Sequence, residues 1–194
     1  MKENFLENYK LDGTNLKIVT YPAPVLKKIA EPVTEFNDEL RSLIKDMLYT
    51  MYQAPGIGLA APQVGVSKRF FVIDIWYDRD NVTLPDGSED IRLSNLQPMV
   101  FINPVFKNKT GEILYEEGCL SVPGVYEEVK RAESVTVDYQ DMFGNHHTLD
   151  ADELFAICLQ HENDHLDGIV FIDRLSFLKK QLVEKKFLKK TKKK

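Results

Sequence analysis

The chain has 194 residues, 43% of them hydrophobic and 28% charged, the size and balance of one globular domain or two small ones, which excludes disordered and fibrous classes. No apolar run approaches the roughly 18 to 20 residues of a membrane span, and the polar opening stretch, residues 1–10, lacks the apolar core of a signal peptide, so a cytoplasmic protein with no membrane partner is expected. The net charge of −5 is uneven: nine lysines against one glutamate put +8 on residues 179–194 and leave −13 on residues 1–178, an acidic body with a basic tail that reads as a solvated helix end or a polyanion-binding segment.

The first strong pattern covers residues 38–53, where Leu40, Leu43, Ile44, Met47, Leu48 and Met51 recur at the spacing of a helix buried on one face. Asn37 or Asp38 can cap its start. Residues 56–65 hold three glycines and a proline among small apolar residues, which suits neither a good helix nor a plain strand and predicts a shaped loop. Residues 69–76 (R-F-F-V-I-D-I-W) predict a strand, and residues 77–97 a long polar loop with a turn at Pro85, Asp86 and Gly87. Further strands are expected over 99–106, 112–116 and 133–140, followed by a turn over 141–145. A last helix is expected from Asp150, which has capping-box spacing to Glu153, through to Gly168, which suits a C-terminal cap. Strands grouped together with helices before and after predict an α+β fold, and the lack of any repeat or linker before the lysine tail predicts one domain.

That last helix carries His161, Glu162, Asn163, Asp164 and His165, an H-E-x-x-H motif. Histidines four apart project from one face roughly 6 Å from each other, so both can bind one divalent cation while Glu162 reaches water from the side. Two of the four histidines in the chain fall here. A catalytic site usually adds a third protein ligand. Glu184 sits on a lysine-rich helix face and reads as a solvated i,i+4 partner. His146 and His147 are adjacent on a strand and would point to opposite faces. Cys158 shares the helix face with His161 but reads as a small apolar lining residue. Cys119, 42 residues before His161, remains. Two cysteines are too few for a disulfide framework, so both are expected as thiols.

Three stretches in order, G-I-G-L-A-A-P-Q over 56–63, E-G-C-L-S over 117–121 and Q-H-E-N-D-H over 160–165, together make the chain resemble the peptide deformylase family over most of its length. The resemblance implies a single compact α+β domain over 1–178, with a mixed, mostly antiparallel sheet around the motif helix, and a basic helical tail over 179–194. It implies a metal held by Cys119, His161 and His165. The implied reaction is hydrolysis of the N-terminal formyl group from new polypeptides that begin with formyl-methionine. A formamide is a poor electrophile, so that reaction needs water activated by the metal, Glu162 as general base and acid, and donors set in place for the charge that develops on the formyl oxygen. By resemblance those donors are the Gln63 amide and the Leu120 backbone N–H, and Ile57, Leu154, Ile157 and Cys158 form the methionine pocket.

Gly56 and Gly58 carry two readings, a backbone turn that needs positive φ or a close approach of substrate to the main chain. Glu117 reads as a partner of a histidine or of Arg131 rather than a ligand. One thiolate and two imidazoles suit zinc, ferrous iron, nickel or cobalt, and the resemblance sets ferrous iron beside zinc. Rival readings are an H-E-x-x-H metalloprotease using Glu184 and a non-catalytic protein whose metal only stabilises the fold. Leu175, Leu178, Leu182, Phe187 and Leu188 give the tail an apolar stripe beside its lysines. They predict a C-terminal helix docked weakly or not at all, whose charge would favour encounter with the phosphate-rich ribosome.

Overall fold

The structure is a computed structural model and describes residues 4–191, so residues 1–3 of the polar start and 192–194 of the lysine tail lie outside the described residues. Helix α1 (Asp38–Gln53) has the expected bounds, with the Asn37 side chain accepting from the Leu40 N–H as its cap. The shaped loop after it contains a short strand, β1 (Gly58–Ala60), and a 3-10 turn (Ala61–Val64). Strand β2 (Phe70–Ile73) follows. The stretch read as a loop is a hairpin, β3 (Asp78–Thr83) and β4 (Glu89–Ser94), reversing at the predicted Pro85, Asp86 and Gly87. Its side chains are almost all exposed on both faces, so no alternation of apolar and polar residues marked it as sheet.

Strand β5 (Met99–Thr110) runs four residues past its predicted end, β6 (Ile113–Gly118) starts one residue later and ends two later than predicted, and β8 (Ser134–Gln140) matches its prediction to within one residue. Strand β7 (Tyr126–Arg131) was not expected, and β9 (His146–Asp152) runs well beyond the His146–His147 strand position read from the sequence, because both strands are polar and lie at sheet edges. The motif helix, α2 (Glu153–Leu166), starts three residues later than predicted. Asp150 still belongs to β9, where its carboxylate accepts from Thr136 Oγ1 at 2.6 Å, so it cannot cap the helix. The helix end is as expected: Gly168, at φ +71°, closes a Schellman turn in which the Ile169 N–H donates to the Asp164 carbonyl.

The main sheet has the order β1-β2-β5-β8-β9 with every neighbour antiparallel, and β6 and β7 form a separate ribbon. Among the described residues the parallel contribution is one isolated bridge, Glu31 to Lys68. Successive side chains of a strand point to opposite faces, and β2 buries both. Phe70 and Val72 pack with Ile44, Met47 and Met51 of α1, while Phe71 and Ile73 pack with Ala156 and Leu159 of α2. The sheet is thus sandwiched between its first helix and the motif helix, which fixes α2 against a rigid floor.

Helix α3 (Phe177–Thr191) corrects the expectation of a weakly docked tail. Val183 and Phe187 are buried with Leu26, Val122, Val129 and Phe171. Of the predicted stripe, Leu178 and Leu182 are 72% and 60% exposed. Phe187 of that stripe is buried, and Leu175 and Leu188 pack partly against the same cluster, so the expected stripe mixes residues of the docked face with two exposed leucines and omits Val183. Lys179 pairs with Glu127 of β7 at 2.7 Å and Lys180 with Asp173 at 2.7 Å, further fastening the helix.

Candidate metal centre and active site

Helix α2 brings His161, Glu162 and His165 to one side, and the turn after β6 brings Cys119 against them. The Cys119 thiol and the two imidazoles have ligand atoms within 4.8 Å of one another, the one such group among the described residues. Cys119 Sγ lies 3.3 Å from His165 Nε2, close to the separation of about 3.5 Å that metal–sulfur and metal–nitrogen bonds make at a tetrahedral angle. A thiolate and two imidazoles in this arrangement fit one borderline divalent cation.

The ring orientations are fixed from behind. His161 Nδ1 lies 2.8 Å from Glu117 Oε2; a carboxylate accepts, so Nδ1 carries the proton and Nε2 keeps its lone pair for a metal. Glu117 also receives Arg131 Nε at 2.6 Å and another guanidinium nitrogen at 2.9 Å. Burial pushes the Glu117 carboxyl up, but the hydrogen bonds from Arg131 and His161 outweigh it and hold it at about 2. Arg131 continues to Asp164 at 2.6 Å. Burial pushes the His165 imidazole well below its ordinary value, which keeps it neutral and able to donate a lone pair.

Glu162 is buried, and its Oε2 has no hydrogen-bond partner. Burial drives its carboxyl up to about 7. Gln63 is held by the 3-10 turn: its Oε1 accepts from the Ala60 N–H at 2.8 Å, while its Nε2 donates to Ser121 Oγ at 3.2 Å and faces Cys119 Sγ at 3.6 Å. The amide N–H groups therefore point at the metal loop. These groups lie at the foot of a cleft of about 560 Å³ that also touches Gly58, Ile57, Leu120, Leu154, Ile157 and Cys158. Burial pushes the Cys158 thiol up, so it lines the cleft as a neutral group.

A family model described as polypeptide deformylase matches residues 15–181. The chain belongs to the polypeptide deformylase family. It is 48% identical over 172 residues to the peptide deformylase of Acidobacterium capsulatum, covering 89% of this chain and 93% of that one. It is equally identical over 177 residues to that of Neisseria meningitidis serogroup B, covering 91% and 96%. Among solved deformylases, that of Legionella pneumophila superposes with a TM-score of 0.78 at 44% identity, covering 91% of this chain and 95% of that one. The Synechococcus elongatus enzyme in complex with actinonin superposes with a TM-score of 0.76 at 40% identity, covering 92% and 88%.

Within this deformylase fold, the expected ligands Cys119, His161 and His165, the expected catalytic groups Glu162, Gln63 and Leu120, and Ile57, Gly58, Leu154, Ile157 and Cys158 lie in or beside one cleft. The glycine readings change. Neither Gly56 nor Gly58 has positive φ; a Cβ at Gly58 would come within 2.8 Å of Glu162 Cγ and Cδ, and one at Gly56 within 2.8 Å of Leu120 Cδ1. The two glycines make room for site residues. Glu117 meets both a histidine and Arg131. Glu184 makes the expected i,i+4 pair with Lys180 at 3.9 Å and is partly exposed, while also accepting from the Tyr21 hydroxyl at 2.6 Å; it is not part of the metal group. His146 and His147 are exposed on β9. Asn163 joins a polar cluster with Asp167 and Arg69. Ser121 and Asp164 lie inside the motifs, but nothing in their spacing marks their contacts with Gln63 and Arg131.

Proposed function

We propose that this chain removes the formyl group from polypeptides that begin with N-formylmethionine, with a divalent ion held by Cys119, His161 and His165. The observation that carries this reading is the buried, unpartnered carboxylate oxygen of Glu162 beside that ligand group, at the foot of an apolar cleft. When bound, the ion would supply Lewis acidity, favouring hydroxide near neutral pH and drawing charge from the formyl carbonyl. Glu162 takes the proton of the attacking water and passes it to the departing amine, a transfer suited to a carboxyl poised near neutrality. The Gln63 Nε2 group and the Leu120 N–H donate to the formyl oxygen as charge gathers there. Ile57, Leu154, Ile157 and Cys158 offer the methionine side chain an apolar wall that suits an unbranched thioether.

Ferrous iron or zinc is the proposed ion, and nickel and cobalt suit the same donors. We read residues 1–178 as the catalytic domain, residues 179–194 as a basic segment, and the cytoplasm as the place of action. Lys185, Lys186 and Lys189 face solvent on α3, which supports a salt-dependent contact with the ribosome. The test is incubation of the metal-loaded protein with a formyl-methionyl peptide and its acetyl counterpart. Equal amounts of formate and free amine should appear from the first and nothing from the second; cleavage of an internal peptide bond would point to a protease instead.

A further inference from the structure

The cleft loop that bears Ile57 and Gly58 is held from behind by a buried network with no assigned part in the reaction. Asp74, fully buried, donates its N–H to the Ile57 carbonyl at 3.0 Å. Its carboxylate accepts from the Tyr52 hydroxyl at 2.6 Å, from the Gln97 N–H at 2.7 Å and from the Trp76 N–H at 3.0 Å. The next carbonyl along, that of Gly56, accepts from the Tyr77 hydroxyl at 3.1 Å. The Tyr77 ring stands edge-on to Tyr52, with centroids 5.0 Å apart and planes at 89°. Arg79, two residues on, donates to the Tyr52 carbonyl at 2.9 Å.

Tyr77 immediately precedes β3, Arg79 lies in it and Gln97 lies three residues past the end of β4, so the chain entering and leaving the exposed hairpin is tied to the acid and the loop. Two consecutive carbonyls, those of Gly56 and Ile57, are thereby held by residues that do not line the cleft. On the cleft side the loop has little slack, because Gly58 already sits against the Glu162 carboxylate and Gly56 against Leu120.

We propose that Tyr77 is a positioning residue for substrate binding: its hydroxyl holds the Gly56 carbonyl so that Ile57 and Gly58 present a fixed edge to the peptide, and the β3–β4 hairpin is the brace that carries it. The inference rests on the deformylase reading. It predicts an effect on KM, because the loop faces substrate, whereas Glu162 is anchored separately on α2.

Tyr77→Phe deletes the hydroxyl and keeps the ring against Tyr52. With metal content and thermal midpoint unchanged, KM for a formyl-methionyl tripeptide should rise about three- to tenfold while kcat stays within about twofold. Amide hydrogen exchange over residues 56–60 should quicken in the same variant. Wild-type KM and wild-type exchange would overturn the proposal, as would a lower midpoint with reduced kcat and unchanged KM, which marks a purely structural residue. If the wild-type protein releases no formate, the deformylase reading fails by itself, and the exchange comparison still decides whether Tyr77 holds the loop.

Discussion

The Glu162 carboxylate lies where a side chain at Gly58 would begin. A Cβ there would come within 2.8 Å of both Cγ and Cδ of Glu162, and neither can retreat easily, because Glu162 is buried on a helix packed against the sheet. Gly58→Ala is therefore expected to keep its metal and to lose about 100-fold in kcat/KM, the scale of a catalytic group displaced by roughly 1 Å. Near-normal turnover with full metal occupancy would show that the loop yields and that the close approach has no catalytic consequence.

The two cysteines should behave differently. Cys119→Ala removes a donor from the only three-donor group among the described residues and is expected to strip or greatly weaken metal binding. Cys158→Ala should leave the metal bound, since its sulfur faces the Ile57 carbonyl at 3.7 Å and its thiol is pushed up by burial. Metal analysis of the two purified variants checks the assignment, and the reverse pattern would overturn it.

Helix α3 should respond to substitution according to face. Phe187→Ala is expected to cost about 3 kcal/mol of stability, as for other buried phenylalanines, whereas Leu182→Ala should change stability by less than about 0.5 kcal/mol. Denaturant melts of both variants would test this. Comparable effects at the two positions would mean the helix does not dock through Val183 and Phe187.

What could be read from the sequence divides along physical lines. Helix α1 was legible to the residue because six apolar side chains and an Asn cap all declare one face. The ligand group was legible because a four-residue spacing on a helix places two histidines together whatever the rest of the fold does, while Cys119 needed the company of two other motifs. The start of α2 was misplaced because Asp150 satisfies its carboxylate across a strand pair, a contact 14 residues away that no local spacing reveals. The positive-φ reading of Gly56 and Gly58 fails for a similar reason: what constrains their backbone from within the chain is a side chain more than 60 residues distant rather than their own φ. The docking face of α3 turned on Leu26, Val122 and Val129, none of them near it in sequence.

Acid should loosen the attachment of α3. Burial pushes the Asp173 carboxyl up, but hydrogen bonds from Lys180, Lys27 and the Val170 N–H outweigh it and hold it below the ordinary range. A carboxyl lowered in the folded state binds protons first in the unfolded chain. Its stabilising contribution is thus present above the ordinary carboxylate value and is lost as pH falls through the lowered one. Wild type should be more stable than Asp173→Asn at pH 7, and the two melting temperatures should converge as pH drops below about 4. A constant gap over that range would remove Asp173 ionisation from the account.

Glu162→Gln gives the most direct test of the central claim, that a buried carboxylate beside a Cys–His–His metal group moves the proton in formyl hydrolysis. The amide keeps the shape and cannot act as a base, so the variant should hold a full complement of metal and release formate from a formyl-methionyl peptide at least about 100-fold more slowly than wild type. Formate release within a few fold of wild type at equal metal occupancy would contradict the account.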